Sequence, residues 1–323
     1  MNLLEVKDLR THFFTRWGTV KAVDGVTFSL KERETLGIVG ESGCGKSMTC
    51  LSLMRLVPEP AGRIVGGQIL LRGEDLLKKT EKEMRRIRGA KLSMILQDPM
   101  TSLNPVFTIG DQIKEAITIH RGLKGRSLWE RAVEVLKMVR ISSPEQRLRN
   151  WPHQLSGGMR QRVVGAISLS CEPGLLIADE PTTSLDATIQ VQILHLLRTL
   201  QEESGLALIF VTHDLGIVAR MCNRVAVMYA GKIVEMAEVR DLFNHPAHPY
   251  TQGLMRAIPR IDKKVGRLTS IAGEPPRLHQ VPPGCAFASR CSSVRDYCRP
   301  DQYPPRFEVG RDHWISCWKY AKG

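Results

Sequence analysis

GESGCGKS, Gly40 to Ser47, follows the apolar run Leu36–Val39 and leads into a helix-compatible segment, Met48–Leu56. The spacing is G-x-x-x-x-G-K-[ST], in the strand–loop–helix order that a P-loop requires. Glycines let the backbone turn tightly and present successive N–H groups to phosphate oxygens. The helix N-terminus behind the loop adds positive dipole. Lys46 is expected to reach the β- and γ-phosphates, and the Ser47 hydroxyl to ligate Mg²⁺. The candidate nucleotide-binding residues are therefore Gly40, Glu41, Ser42, Gly43, Cys44, Gly45, Lys46, Ser47 and Met48.

Upstream of the loop, Val20, Ala22, Val26, Phe28 and Leu30 alternate with polar neighbours, as half-buried antiparallel strands do. Trp17 is a candidate for stacking on a base, with Phe13 and Phe14 competing for the role. Ile69–Leu71 reads as a short strand and Leu92–Leu96 as a buried one. The latter ends at Gln97, where open α/β sheets place ligand contacts; Gln97 is a candidate to orient water and help hold Mg²⁺. From Thr108 to Arg149 the apolar residues fall at helical spacings, which predicts a helical insert.

Ser156, Gly157 and Gly158 then open a helical stretch, giving an anion-ready N-terminus, although taken alone it reads first as an ordinary N-cap. The run Leu175–Ala178 suits a parallel strand buried on both faces. Asp179 at its end matches the Walker B role of holding Mg²⁺, and Glu180 is placed to act as general base. A second buried strand, Leu206–Val211, ends near His213, a candidate to sense the γ-phosphate.

Composition bounds the alternatives. The 323 residues predict about two domains. No apolar run approaches the ~18 residues of a membrane span, and MNLLEVKDLR has no apolar core behind a basic end, so a cytoplasmic chain is expected. Net charge is +13, but the region from Asp241 onward carries 13 basic against 7 acidic residues, so the charge is spread and selects no partner. Only Lys78–Lys91 forms a basic cluster, which reads as a solvated helix face. Cys44, Cys50, Cys171 and Cys222 read as scattered buried or half-buried thiols. Cys285, Cys291, Cys298 and Cys317 crowd into the tail, where a cytoplasmic cluster points to metal; the spacing alone leaves iron–sulfur and zinc both open. Seven prolines from Pro246 to Pro283 predict a loop-rich, separate small module stapled by that metal.

In order along the chain, Gly40–Ser47, Gln97, Leu155–Met159 (LSGGM), Leu175–Glu180 (LLIADE), Ser184-Leu185-Asp186 and His213 resemble an ATP-binding-cassette ATPase over roughly residues 1–240. The resemblance implies a P-loop (RecA-like) α/β nucleotide-binding domain with an antiparallel β subdomain. It also implies a helical subdomain at about 98–158, followed by a Cys-containing module at 241–323. It further implies two cassettes meeting head to tail, with Ser156, Gly157 and Gly158 reaching the γ-phosphate of the facing chain. Gln97 would couple the site to membrane partners, Asp186 would communicate between sites, His213 would be the switch histidine and Trp17 the adenine-stacking aromatic. Met159 departs from the Gln common at that position. Asn244–Leu254 (NHPAHPYTQGL) and Gln97–Pro105 (QDPMTSLNP) look like the peptide and nickel importer ATPases. That finer resemblance implies import of di- or oligopeptides, two permeases, an extracytoplasmic solute-binding protein, a second and different ATPase subunit, and no nucleic acid. It also implies a [4Fe–4S] cluster on the four tail cysteines.

Overall fold

The computed structural model describes residues 2–96, 102–183, 186–258, 270–298 and 301–321. Its strands, in chain order, are β1 (Asn2–Thr15), β2 (Gly18–Lys31), β3 (Thr35–Val39), β4 (Gly62–Leu71), β5 (Glu74–Asp75) and β6 (Leu92–Ile95). They continue with β7 (Leu175–Asp179), β8 (Ala207–Thr212), β9 (Arg224–Tyr229), β10 (Lys232–Glu238), β11 (Phe307–Gly310) and β12 (His313–Ile315). The chain divides into two compact units, one of Lys31–Glu34 and Lys78–Phe210, the other of Asn2–Leu30, Thr35–Leu77 and Val211–Gly323.

In the first unit β6 runs parallel to β7, with Leu92 opposite Leu175 and Ile95 opposite Ala178. All five residues of β7 are buried, as the continuous apolar run requires. The helical insert is present as Ile109–Arg121, Gly125–Met138 and the single turn Pro144–Arg147. Thr108 caps the first of these by accepting from the Asp111 N–H, and Gly122 in the left-handed region closes it. Ile109, Ile113 and Ile117 line one face of that helix and are fully buried. Each such side chain contributes about 1.5–3 kcal/mol. The basic stretch is a capped helix, Glu81–Ile87, whose Thr80 and Glu83 form a reciprocal capping box. It turns Met84 and Ile87 inward, and Glu81 pairs with Arg88 on the outside.

In the second unit β1 pairs antiparallel with β4, and β4 with β5. The strand expected at Ile69–Leu71 is the end of a longer one that begins at Gly62. Its alternation is broken by a bulge. The register shifts between Lys7 and Arg10, Asp8 takes φ +48°, and Gly67 takes φ +97° with room for no side chain against the Asp8 carbonyl. A second set of strands in this unit runs in the order β11-β12-β10-β9-β3. There β3 lies parallel to β9, with Ile38 opposite Ala226, and β10 returns antiparallel to β9.

The tail, expected as a small module from residue 241, packs within the second unit. Strand β12 pairs with β10, placing Glu235 opposite Ile315 and Met236 opposite Trp314. The helix Pro249–Ala257 sends Tyr250 into one core with Val39, Val225, Val227, Tyr229 and Phe287. The rings of Tyr229 and Tyr250 lie 4.7 Å apart, and both meet Phe287, at 5.3 and 5.4 Å. Leu254 and Ile258, four and eight residues beyond Tyr250, pack against the same core.

The staple of the tail is Glu235, fully buried on β10. Its carboxylate accepts from the N–H groups of Ala247 (2.7 Å) and His248 (2.9 Å) and is joined to His313 Nε2 at 2.8 Å. His248 in turn caps the helix, its Nδ1 accepting from the Tyr250 N–H at 3.0 Å. Burial pushes the His248 pKa down to about 4 from the ordinary 6.5, against the opposing pull of Glu235. A proton on Nδ1 would also remove the cap. The unfolded chain therefore binds this proton first, so its stabilisation is complete above pH ~6.5 and is lost as pH falls toward ~4. The expected loss by pH ~5 is about 2 kcal/mol, read as a fall in Tm between pH ~7 and ~5. His248→Asn, which keeps a capping oxygen, should flatten that slope. An unchanged slope would assign the acid sensitivity to another group.

Among the described residues no helix is long and apolar enough to cross a membrane. Cys44, Cys50 and Cys171 are buried thiols, and burial pushes Cys222 up to about 12.

Candidate nucleotide site

In the second unit, β3 delivers the chain into the loop Gly40–Gly45, and the helix Lys46–Met54 follows it. The glycines are needed where they stand. Gly45 is the N-cap at φ +108°, and a Cβ there would sit 2.2 Å from the Ala22 carbonyl oxygen. Gly43 takes φ +77° with open space beside it, leaving backbone accessible to a ligand. Lys46 is buried, and its Nζ donates to the carbonyls of Gly40 (2.8 Å) and Glu41 (3.1 Å). The ammonium is thereby tied to the loop backbone. The Cys44 thiol points inward, and burial pushes its pKa up.

Glu41 is committed to the tail. Its N–H donates to the Tyr250 hydroxyl at 2.9 Å, and its carboxylate takes both terminal nitrogens of Arg290 at 2.6 and 2.9 Å. The Arg290 side chain is only 4% exposed, and the ion pair with Glu41 drives its pKa further up. Sequence reasoning missed Arg290 altogether and quoted Tyr250 only as part of a pattern.

The aromatic candidates separate by exposure. Trp17, in the turn between β1 and β2, is 72% exposed with the Arg16 guanidinium 4.4 Å over its ring. Phe14 is also exposed, whereas Phe13 packs against Gly62. His213, exposed, follows the last residue of β8, and its neighbour Asp214 caps the next helix through the N–H groups of Gly216 and Ile217.

In the first unit, Asp179 ends β7 and is 4% exposed. Glu180 follows at φ +46°, a conformation that costs a non-glycine residue strain. Thr183 Oγ1 donates to its carboxylate at 2.9 Å. The turn is braced by Gln161, whose Nε2 donates to the Pro181 carbonyl at 2.7 Å, a contact across 20 residues that no local pattern marks. Ser156 caps the helix Gly157–Leu169 by accepting from the Met159 N–H. Ser156 and Gly157 are exposed, and nothing stands within 4 Å of a Cβ on Gly157, so this helix end is open to a ligand. Asp186 caps the helix Ala187–Ser204 through the Ile189 N–H. Gln97, Ser184 and Leu185 lie outside the described residues.

The four tail cysteines expected to hold a metal all lie among the described residues. Among the described residues no group of three or more His, Cys, Asp or Glu side chains is placed to hold a metal ion. Cys317 is buried with Ala247 and Ile315, while Cys285 and Cys291 pack against the tyrosine core, so they belong to two different core clusters. They are nonetheless close enough to act on one another. Burial first, and then the charges of Cys317, Cys291 and Cys298, push the Cys285 thiol up to about 11.

A phosphate loop with a buried lysine, an acidic pair ending a buried strand, and an exposed Ser-Gly-Gly helix start are the parts of a cassette ATPase. The "ABC transporter" family model matches residues 23–183, and "Oligopeptide/dipeptide transporter, C-terminal region" matches residues 234–298. The chain is 51% identical over 320 residues to the oligopeptide transport ATP-binding protein AppD of Bacillus subtilis, covering 99% of this chain and 97% of that one. The chain belongs to the ABC transporter ATPases. This cassette is also 48% identical over 316 residues to the dipeptide transport ATP-binding protein DppD of Bacillus subtilis, covering 98% of this chain and 94% of the relative. Its fold matches the post-hydrolysis dimer of the ATP-binding cassette MJ0796 bound to ADP and Pi with a TM-score of 0.66 and 27% identity. That match covers 73% of this cassette and 99% of the other chain. The cassette is an ATP hydrolase of the ABC type.

Proposed function

We propose that this cassette hydrolyses ATP to power import of di- and oligopeptides through partner permeases at the cytoplasmic face of a membrane. The observation that carries the reading is the match of residues 234–298 to the oligopeptide and dipeptide transporter C-terminal region, beyond the cassette itself. The partners proposed are a second ATPase subunit, two transmembrane permeases and an extracytoplasmic solute-binding protein. In the working site, Ser47, Gln97 and Asp179 hold Mg²⁺, Glu180 polarises the attacking water and His213 contacts the γ-phosphate. Ser156, Gly157 and Gly158 complete the site from the facing subunit, and Asp186 links the two sites. The exposed helix start at Ser156 and Gly157 supports this reading. Trp17 is proposed as the base-stacking aromatic, on the strength of its exposure.

The test is reconstitution of the full complex in vesicles with its binding protein. Peptide-stimulated ATP hydrolysis with uptake of labelled di- or tripeptide is expected. Stimulation by nickel or another small solute instead would move the substrate within the class. Stimulation by DNA or ribosomes, and not by permeases, would overturn transport.

We also propose that Cys285, Cys291, Cys298 and Cys317 hold a structural [4Fe–4S] cluster, with zinc as the alternative. What supports this is the presence of four thiols in one short stretch of the tail, with Cys317, Cys291 and Cys298 near enough to act on Cys285. Anaerobic purification should give iron and acid-labile sulfide in equal amounts with broad visible absorption. Protein with neither iron nor sulfide would remove the cluster, and stoichiometric zinc would replace it.

A further inference from the structure

We infer that Tyr250 and Arg290 are positioning residues of the nucleotide site, holding Glu41 so that the P-loop keeps its ATP-binding form. The inference rests on the cassette being an ATPase and is independent of what is transported. Glu41 is held on every polar group it has. Its N–H is donated to Tyr250 Oη and its carboxylate is clasped by Arg290, while its carbonyl accepts from Lys46 Nζ at 3.1 Å. The residue therefore joins the tail to the lysine that meets the phosphates. It is a support of the loop, and its N–H is unavailable to a ligand.

The tail side of this joint is itself fixed. Arg290 Nε donates to the Ala272 carbonyl at 3.0 Å, and Nη1 lies 3.4 Å from the Tyr229 hydroxyl. Tyr250 is fully buried, one residue beyond the proline that opens its helix. A phenol and a guanidinium brought from 209 and 249 residues away to one loop residue is a costly arrangement for a mere surface tie. Its consequence is specific. Release of either contact frees the Glu41 peptide, and with it the carbonyl that aims Lys46.

The experiment uses the full chain, with ATP affinity from titration of a fluorescent ATP analogue, and kcat and KM measured separately. Tyr250→Phe removes only the hydroxyl and leaves the Glu41 N–H unpaired. It should raise the ATP Kd and KM about 5–10-fold with kcat at saturation within about 2-fold. Arg290→Gln should weaken ATP at least as much, and Arg290→Lys should recover part of the loss by restoring the charge. Glu41→Gln combined with Arg290→Gln should be no worse than Arg290→Gln alone, because both act through one contact. ATP should also slow amide exchange around Arg290, as reciprocity between linked sites demands. Folded variants with parental ATP affinity would overturn the inference. So would strictly additive losses, or a loss confined to kcat. If Arg290→Gln does not fold, Tyr250→Phe and the amide-exchange response of the unmutated chain decide the matter by themselves.

Discussion

Glu180→Gln is expected to cut steady-state ATP hydrolysis by about 10²–10⁴-fold while leaving ATP binding intact. The side chain sits directly after the buried Asp179, in a strained left-handed backbone, with Thr183 Oγ1 on one carboxylate oxygen. Gln keeps the shape and one acceptor for that hydroxyl but cannot take a proton from water. The substitution thus separates chemistry from folding, and an unchanged Tm is the control. On the proposed two-cassette site, slow hydrolysis should let an ATP-bound closed dimer accumulate, visible by size-exclusion chromatography with Mg-ATP. Turnover at the unmutated rate would remove Glu180 from the base role. A lost dimer together with lost ATP binding would instead assign Glu180 to nucleotide binding.

What could be read in the sequence was local. The P-loop declares itself within eight residues, and Ser156, Asp186 and Thr108 declare helix starts because a cap acts over three residues. The buried strand before Asp179 was legible because two covered faces demand an unbroken apolar run. What could not be read was long-range. The Arg290–Glu41 pair joins positions 249 residues apart, and nothing near either marks the other. The glycine bulge at Gly66-Gly67 masked most of β4 by breaking its alternation. The tail misled in a different way. Its prolines suppress periodicity and its cysteines suggest a self-contained metal module, yet a single buried glutamate and two tyrosines tie it into the nucleotide-binding unit.

That glutamate gives the second large effect: Glu235→Ala should destabilise the second unit by about 3–5 kcal/mol. The size follows from what is left behind. Two buried N–H donors, of Ala247 and His248, lose their acceptor, and His313 Nε2 loses its partner in a site with no access to water. A cavity the size of a carboxymethyl group adds to the loss. Glu235→Gln should cost less, since its carbonyl oxygen still accepts while its amide opposes one donor. The order Glu235, then Gln, then Ala in Tm is therefore expected, with His313→Ala close to Gln because it removes one of the three contacts. The position of the damage matters more than its size. Loosening at Glu235 frees His248 and the helix it caps, and Tyr250, two residues on, carries the hydrogen bond to the P-loop. Glu235→Gln should thus weaken ATP binding as well as the fold, although Glu235 contacts no residue of the loop among its hydrogen bonds. A variant with lowered Tm but unaltered ATP affinity would make Glu235 a staple only and cut the link between tail and loop at this point.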